Sequence, residues 1–456
     1  MIKTLVKPVP SQLSSFLSDH KVYARTYALL VALYGFSFLP FLRVAQISES
    51  LLVLLFLGLL ALGNRHSPIR QVLVRDPVFR IMLLFTVFLA GARAWYALSL
   101  PVDLEPNTRD MRYYLKPFMV IILATGLALQ PINRAWQLLL IGWAGLLVYL
   151  GLNFDAHEWQ RALAGRRVDF GIHNAQHTGL FFGSSLLALI CFAPRFLMRA
   201  RSPVGFALLA LPLLASITLA FEGTLAAQTR AVWLGLVASI VILVILLASQ
   251  VRKRHWNPKV LLGSAVGLVI VLTAIFVALH SLKTVEHRVN ASEINLEDFL
   301  APPSEHGNPK TSSGVRLYSW RVALGWISER PLAGWGAGTV DDKIDQSNFF
   351  DRWFKGFGHL HNSYFETLYA HGLIGTGLLC ALIVWIGIAT WRCFRTGNMP
   401  LDVFVFAFSY FGFWLVINMF ESYIIYSTGQ YMNALIVGFI YTFYLSSRVT
   451  EKAHEH

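Results

Sequence analysis

Charge is scarce in this 456-residue chain: Asp, Glu, Lys and Arg together make up 14% of it, against about 25% in soluble domains. So few charges cannot cover the surface of a soluble globule of this length, which excludes a large soluble domain. Cysteine is rarer still. Cys191, Cys380 and Cys393 lie within apolar runs or at an end expected to face the cytoplasm. They make no disulfide framework, and their spacing matches no metal-binding pattern. Acids are the scarcer sign, 25 against 38 Lys and Arg, for a net charge of +13. That excess is dispersed through short loops, so nucleic acid is not an expected partner. Residues 1–25 carry Lys3, Lys7, Lys21 and Arg25 without an apolar core, and no cleavable signal peptide is expected. Strand-like alternation is missing from stretches such as LLVLLFLGLLALG, which excludes a membrane β-barrel. No internal repeat is evident.

What the chain has is apolar residues, 55% of the total, gathered in runs of roughly 17–22. That length crosses about 30 Å of hydrocarbon as helix. A backbone in lipid must satisfy its own hydrogen bonds, so each run is predicted to be helical. The fold class is therefore all-α, a polytopic membrane protein of about twelve spans. They are predicted at 26–42, 46–63, 79–98, 114–130, 135–153, 178–194, 204–221, 231–250, 260–280, 364–391, 402–419 and 429–446. With the N-terminus inside, one set of loops collects Arg65, Arg70 and Arg75, then Arg134, then Arg195, Arg199 and Arg201. The same side continues with Arg252, Lys253, Arg254 and Lys259, with Arg392 and Arg395, and with Arg448 and Lys452. Basic loops almost free of acids face the cytoplasm, which puts both termini there.

Two external segments are long, about 155–177 and 281–362. The second holds the polar, Pro-containing stretch LAPPSEHGNPKTSSG and then GVRLYSWRVALGWISERPLAGWGAG. The latter reads as a helix with Trp320, Leu324 and Ile327 on one face, followed by a glycine-rich turn. Nothing else resembles a soluble domain, so residues 1–456 are read as one transmembrane domain whose large loop contains short helices.

The anomaly is arginine outside. Arg161, Arg166 and Arg167 fall on the first external segment, Arg230 at the start of a span, and Arg316, Arg321 and Arg330 on the second. Arginine's planar fork suits phosphate oxygens. The plainer alternative pairs these residues with Asp155, Glu158, Asp169 or Glu329, or with lipid headgroups. Arg230 is the sharpest case, because a charge at the mouth of an apolar helix is costly unless it faces a polar cavity. Histidines come next: His359, His361 and His371 lie together, with His173 and His177 on the other segment. A pair at i, i+2 is half of a metal site, but no third ligand stands at a useful spacing, so no metal is expected. His361 opens HNSYFETLYAHGLIG where a loop meets a span, and imidazole, titrating near pH ~6.5, is the natural proton acceptor at neutral pH. Asp341-Asp342-Lys343-Ile344-Asp345 matches an acidic pattern that holds magnesium diphosphate in prenyltransferases. It occurs once, interrupted by lysine, and is discounted. The sequon at Asn290 is discounted as well.

HNSYFETLYAHGLIG resembles the HN-x(3)-E-x-L-x(3)-G-x-x-G signature of the bacterial O-antigen ligase and polymerase superfamily. TRAVWLGL resembles that family's arginine at a helix start, and VRLYSW with RPLAGWGAG its loop arginine and glycine-rich turn. The layout of twelve spans, inside termini and a large loop before the His motif is most similar to the lipopolysaccharide O-antigen ligases. The resemblance implies a glycosyltransferase of the bacterial inner membrane with a periplasmic site and no cofactor. Its donor would be O-antigen on undecaprenyl diphosphate and its acceptor a hydroxyl of lipid A–core oligosaccharide, with membrane lipids as the other partners. By the same resemblance, Arg230 and Arg316 would hold the diphosphate and His361 would take the acceptor proton, with inversion at the sugar. Arg166, Arg167 and Arg321 would assist on the substrate, and Asn362 and Glu366 would help orient it. Relatives that polymerise O-antigen or glycosylate proteins share these motifs and stay open as alternatives. A transporter or lipid flippase, whose site would lie near the bilayer midplane, and an assembly scaffold are the alternatives of another class.

Overall fold

The computed structural model describes residues 21–100, 104, 106–254, 312–347 and 358–455, and every regular element among them is a helix. In chain order these are α1 (Lys21–Ser37), α2 (Leu42–Leu62), α3 (Pro68–Arg75) and α4 (Pro77–Ser99), then the short α5 (Thr108–Met111) and α6 (Met119–Ala128). They continue as α7 (Trp136–Leu152), α8 (Ala156–Leu163), α9 (Ala175–Leu197), α10 (Pro203–Ala226) and α11 (Arg230–Arg254). The rest are α12 (Ser312–Glu329), α13 (Val340–Gln346), α14 (Ser363–Arg395), α15 (Leu401–Ile417) and α16 (Ser427–His454). The span predicted at 260–280 lies outside the described residues, as do Lys259, Asn290 and most of the Pro-containing external stretch.

Among the described residues, seven helical stretches are long and apolar enough to cross a membrane: Leu42–Leu62, Pro77–Ser99, Ile132–Leu152, Ala175–Leu197, Pro203–Ala226, Arg230–Ser249 and Ser363–Arg395. Each coincides with a predicted span. They turn large apolar side chains outward, among them Leu54, Val87, Leu211, Val241 and Val384. In water such a surface would aggregate; against hydrocarbon it is the required one. The protein is an all-α, polytopic membrane protein. Of the remaining predictions, 26–42, 402–419 and 429–446 fall on α1, α15 and α16, which are not among the seven.

The span predicted at 114–130 is broken in two, a correction with a clear cause. Pro117 lies inside a 3₁₀ stretch, Arg112–Phe118, and only the ten residues of α6 follow as α-helix. Proline removes a backbone donor and clashes with the preceding turn. Every residue of α6 is buried, against α16, α1 and α2. An apolar run reads alike whether its surroundings are lipid or protein. Helix α12 also departs from expectation: its buried residues are Val315, Ser319, Val322, Ala323, Trp326 and Ile327, while Leu324 is half exposed. Polar and apolar residues are interspersed around this helix with almost no apolar stripe, so spacing alone could not set which side faces inward.

Helix α14 is held by a backbone exchange. Gly372 sits at φ 58°, ψ −163°, a conformation essentially restricted to glycine, and it interrupts the helix. The carbonyls of Tyr369 and Ala370 accept instead from Trp335 N and Gly336 N, both at 2.9 Å. In return, Leu373 N and Ile374 N donate to the carbonyls of Pro331 and Leu332 at 2.7 and 3.1 Å. Backbone groups that the broken helix would otherwise leave unmet gain partners in this way. The exchange needs near-contact of two chains: a Cβ on Gly372 would meet the Leu332 carbonyl at 2.4 Å, and one on Gly334 the Tyr369 carbonyl at 2.4 Å. The glycine-rich turn thereby anchors α12, and with it Arg316, to the helix that begins at the His motif.

Candidate active site

Three pieces of chain, far apart in sequence, meet at the start of α14. The first is the loop 358–362. Asn362 caps α14, its Oδ1 accepting from Tyr364 N and Phe365 N at 2.9 and 3.2 Å, which satisfies donors at the helix start. The second is the connection 418–426 between α15 and α16. Ser363 N donates to Asn418 O at 2.9 Å, and Asn362 N donates to Ser422 Oγ at 3.1 Å. Glu366, buried one turn into α14, accepts from Leu360 N at 2.8 Å and from Ser422 Oγ at 3.3 Å. Its carboxylate therefore fastens both segments to the helix. The third is α12, whose Trp320 Nε1 donates to Leu360 O at 2.8 Å.

At the centre stands Glu421, its side chain only 2% exposed. Its Oε1 lies 2.9 Å from His359 Nε2, 3.4 Å from His361 Nδ1 and 3.0 Å from Ser422 N. An ionised carboxylate can only accept, so His359 carries its proton on Nε2, and the Nδ1 proton of His361 faces Glu421. The basic nitrogen of His361 is then Nε2. Burial would raise the Glu421 carboxyl, but the hydrogen bonds and charges of the two histidines outweigh it and hold the group well below the usual carboxylate range. Burial lowers the His361 imidazole, and His359 and Arg316 push the same way against the raising influence of Glu421. His361 is therefore a neutral, oriented imidazole near pH 7. Its backbone sits at φ 49°, a left-handed conformation unusual for a residue with a Cβ. Such outliers persist where the surroundings over-determine them, as the stitching of 359–363 to 418–422 does.

Cationic groups complete the site. Arg316 is half-buried, and its Nε is buried with no hydrogen-bond partner among the described residues. Burial lowers its guanidinium, Glu421 raises it and Arg230 lowers it; guanidinium stays charged regardless. Two arginines close enough to repel, with an unmet donor on one, suit an anion rather than each other. Arg230 opens α11 beside the segment 226–228, against which the turn 165–168 is laced. Val168 N donates to Ala226 O at 3.1 Å, Gln228 Nε2 to Gly165 O at 2.8 Å, and Arg167 Nε to Ala227 O at 3.2 Å. Arg167 is thus brought next to the start of α11, and Arg166 is exposed on the same turn. Arg321, five residues after Arg316, lies roughly 140° round α12, on another face. His177 on α9 and His173 in the loop just before it approach as well, their rings 4.8 and 5.0 Å from that of Tyr426, which also packs on His359 at 5.3 Å.

Asp341, Asp342 and Asp345 lie exposed on α13, and Lys343 is placed over the Trp335 ring, 3.7 Å from its centroid. The His motif is different. The expectation that no third metal ligand accompanies His359 and His361 is corrected by Glu421: the three residues present ligand atoms within 4.8 Å of one another. Glu421, Ser422 and Tyr426 were missed in the sequence, because contacts across some sixty residues leave no spacing to read. One signal was available. FESYIIYSTGQ puts an acid, in a chain poor in acids, at a polar break between two apolar runs, where an ionisable residue calls for a partner.

Residues 215–380 match a family model described as O-antigen ligase. That stretch holds Arg230, Arg316, His361, Asn362 and Glu366 and stops short of Glu421. The chain is also 29% identical over 172 residues to an uncharacterized protein of Haemophilus influenzae, a match covering 37% of this chain and 40% of that protein.

Proposed function

We propose that this chain, which belongs to the O-antigen ligase superfamily through residues 215–380, transfers O-antigen polysaccharide from undecaprenyl diphosphate to a sugar hydroxyl of lipid A–core oligosaccharide. The reaction takes place on the periplasmic face of the inner membrane, and no metal takes part. The observation that carries this reading is the neighbourhood of His361: a half-buried, neutral imidazole backed by Glu421, with the Arg316 cation beside it and Arg230 close to Arg316. A base beside fixed positive charge is what displacement of a diphosphate requires. The acceptor oxygen attacks the anomeric carbon, and its proton passes to His361 Nε2. The bond from that carbon to the phosphate oxygen breaks with its electron pair, inverting the sugar. The charge left on the diphosphate is met by Arg316 and Arg230, preorganised donors of the kind that dominate electrostatic catalysis. Asn362 and Glu366 hold the loop that carries the base, while Arg166, Arg167 and Arg321 contact the donor further out.

The test is transfer by purified protein from lipid-diphosphate-linked glycan to lipid A–core. Arg316→Ala is expected to lose about 2–4 kcal/mol of transition-state stabilisation, and Arg316→Lys to recover part of it, having the charge without the fork. Glycan passed only to a second lipid-linked glycan, or to protein, would replace the ligase by a polymerase or a protein glycosyltransferase of the same superfamily. A requirement for magnesium would return attention to Asp341, Asp342 and Asp345.

A further inference from the structure

The His359, His361 and Glu421 arrangement fits a second kind of ligand. In a tetrahedral zinc site, with bonds of about 2.0–2.1 Å to His nitrogen and carboxylate oxygen, neighbouring ligand atoms stand about 3.3 Å apart. Glu421 Oε1 is 2.9 Å from His359 Nε2 and 3.4 Å from His361 Nδ1, values that straddle that edge. The three ligand atoms span up to 4.8 Å, so the two imidazoles must turn toward each other, and the protons must leave their Glu421-facing nitrogens, for these contacts to become coordination. Two imidazoles with one carboxylate form a donor set seen in zinc sites that keep a fourth position open. Magnesium and calcium demand oxygen ligands, so the choice falls on zinc-like ions. Outer support exists too: the Tyr426 hydroxyl lies 3.3 Å from His359 Nδ1, the kind of partner that orients a ligating imidazole.

We propose that His359, His361 and Glu421 form a three-ligand site for a divalent transition metal of the zinc type, and that its occupation inhibits the enzyme. On binding, the His361 proton moves from Nδ1 to Nε2. The metal takes the Nδ1 lone pair this frees and draws off the charge of Glu421. Nε2 then has no lone pair left to accept the acceptor's proton, and the base is lost. Arg316, which acts electrostatically on both Glu421 and His361, opposes a further cation. The site is therefore reversible and does not hold a resident ion. The inhibition rests on the function proposed above; the binding does not.

The experiment is a calorimetric titration of zinc chloride into the full-length protein in detergent after EDTA treatment and exchange. One zinc per chain is expected. Glu421→Gln and His359→Gln should each weaken binding by about 100-fold or more, beyond the 10- to 100-fold lost with an outer partner alone. Arg316→Gln should tighten it about tenfold, the effect of one charge several ångströms from a divalent ion at a near-aqueous dielectric. Asp341→Asn should leave it unchanged, and excess magnesium should not compete. Using two ligand variants guards against one that fails to fold. Binding undiminished in both Glu421→Gln and His359→Gln, or lost in Asp341→Asn, overturns the site. In the transfer assay, zinc should inhibit over the range in which it binds, and EDTA should reverse it. Stoichiometric binding that stimulates transfer would overturn the inhibition and the general-base role together. Stoichiometric binding by a protein with no transfer activity would uphold the metal site and sink the proposed function instead.

Discussion

Two histidines ten residues apart, one just ahead of helix α14 and one within it, have surroundings that could hardly differ more. His361, at the helix mouth, faces His359 of its own loop together with Glu421 and Arg316, groups brought from two other segments. His371 is fully buried among the rings of Phe85, Phe88 and Tyr114, at centroid distances of 5.7, 6.1 and 4.2 Å, with neither ring nitrogen hydrogen-bonded among the described residues. One imidazole is placed in a field of charges that can use its proton chemistry; the other fills space as an aromatic ring. Residue type and proximity to a family motif do not separate them, whereas the neighbours contributed by distant chain do.

The contrast can be broken first by deletion. His361→Ala is expected to lower transfer by about 10²–10⁴-fold, the usual contribution of a general base, measured on protein whose folding is checked by gel filtration. Full activity in that variant would remove the base from the mechanism. Gly372→Ala tests the splice next to His371: forcing a Cβ into glycine-only backbone and against the Leu332 carbonyl should cost about 3 kcal/mol or more of stability. Thermal unfolding in detergent reads it, and an unchanged midpoint would mean that the break in α14 is not what anchors the glycine-rich turn.

The third prediction concerns pH. Because the His361 pKa is lowered in the folded protein, activity should rise with pH through a midpoint below the ordinary imidazole value near ~6.5. The carboxylate of Glu421 favours the protonated ring, so Glu421→Gln should move that midpoint lower still while reducing the rate at pH 7. A midpoint that moves up would show that Glu421 does not act on His361. The smallest effect is expected at the other histidine. His371→Leu, which roughly conserves volume, should cost under about 1.5 kcal/mol and leave the pH profile of transfer where it was. Loss of activity in a well-folded His371→Leu would erase the distinction from which these tests start.

The two levels of description divide along a physical line. The sequence by itself determined the seven apolar helices that can cross a membrane, because the demand of hydrocarbon for about twenty consecutive apolar residues is met locally. It also made Arg230 and His361 conspicuous, a cation and an imidazole at the ends of apolar runs, whereas Arg316, one of several arginines on an external loop, was set apart by the family resemblance. Tertiary structure alone decided which stripe of α12 is buried and that α6 lies in the core, because an apolar face is indifferent to whether lipid or protein covers it. It also decided that Glu421 stands against His359 and His361, and that Gly372 and the 331–336 turn exchange hydrogen bonds. Those pairings join residues tens of positions apart, and their energy comes from burial and from polar groups satisfied across the gap, which no local pattern encodes.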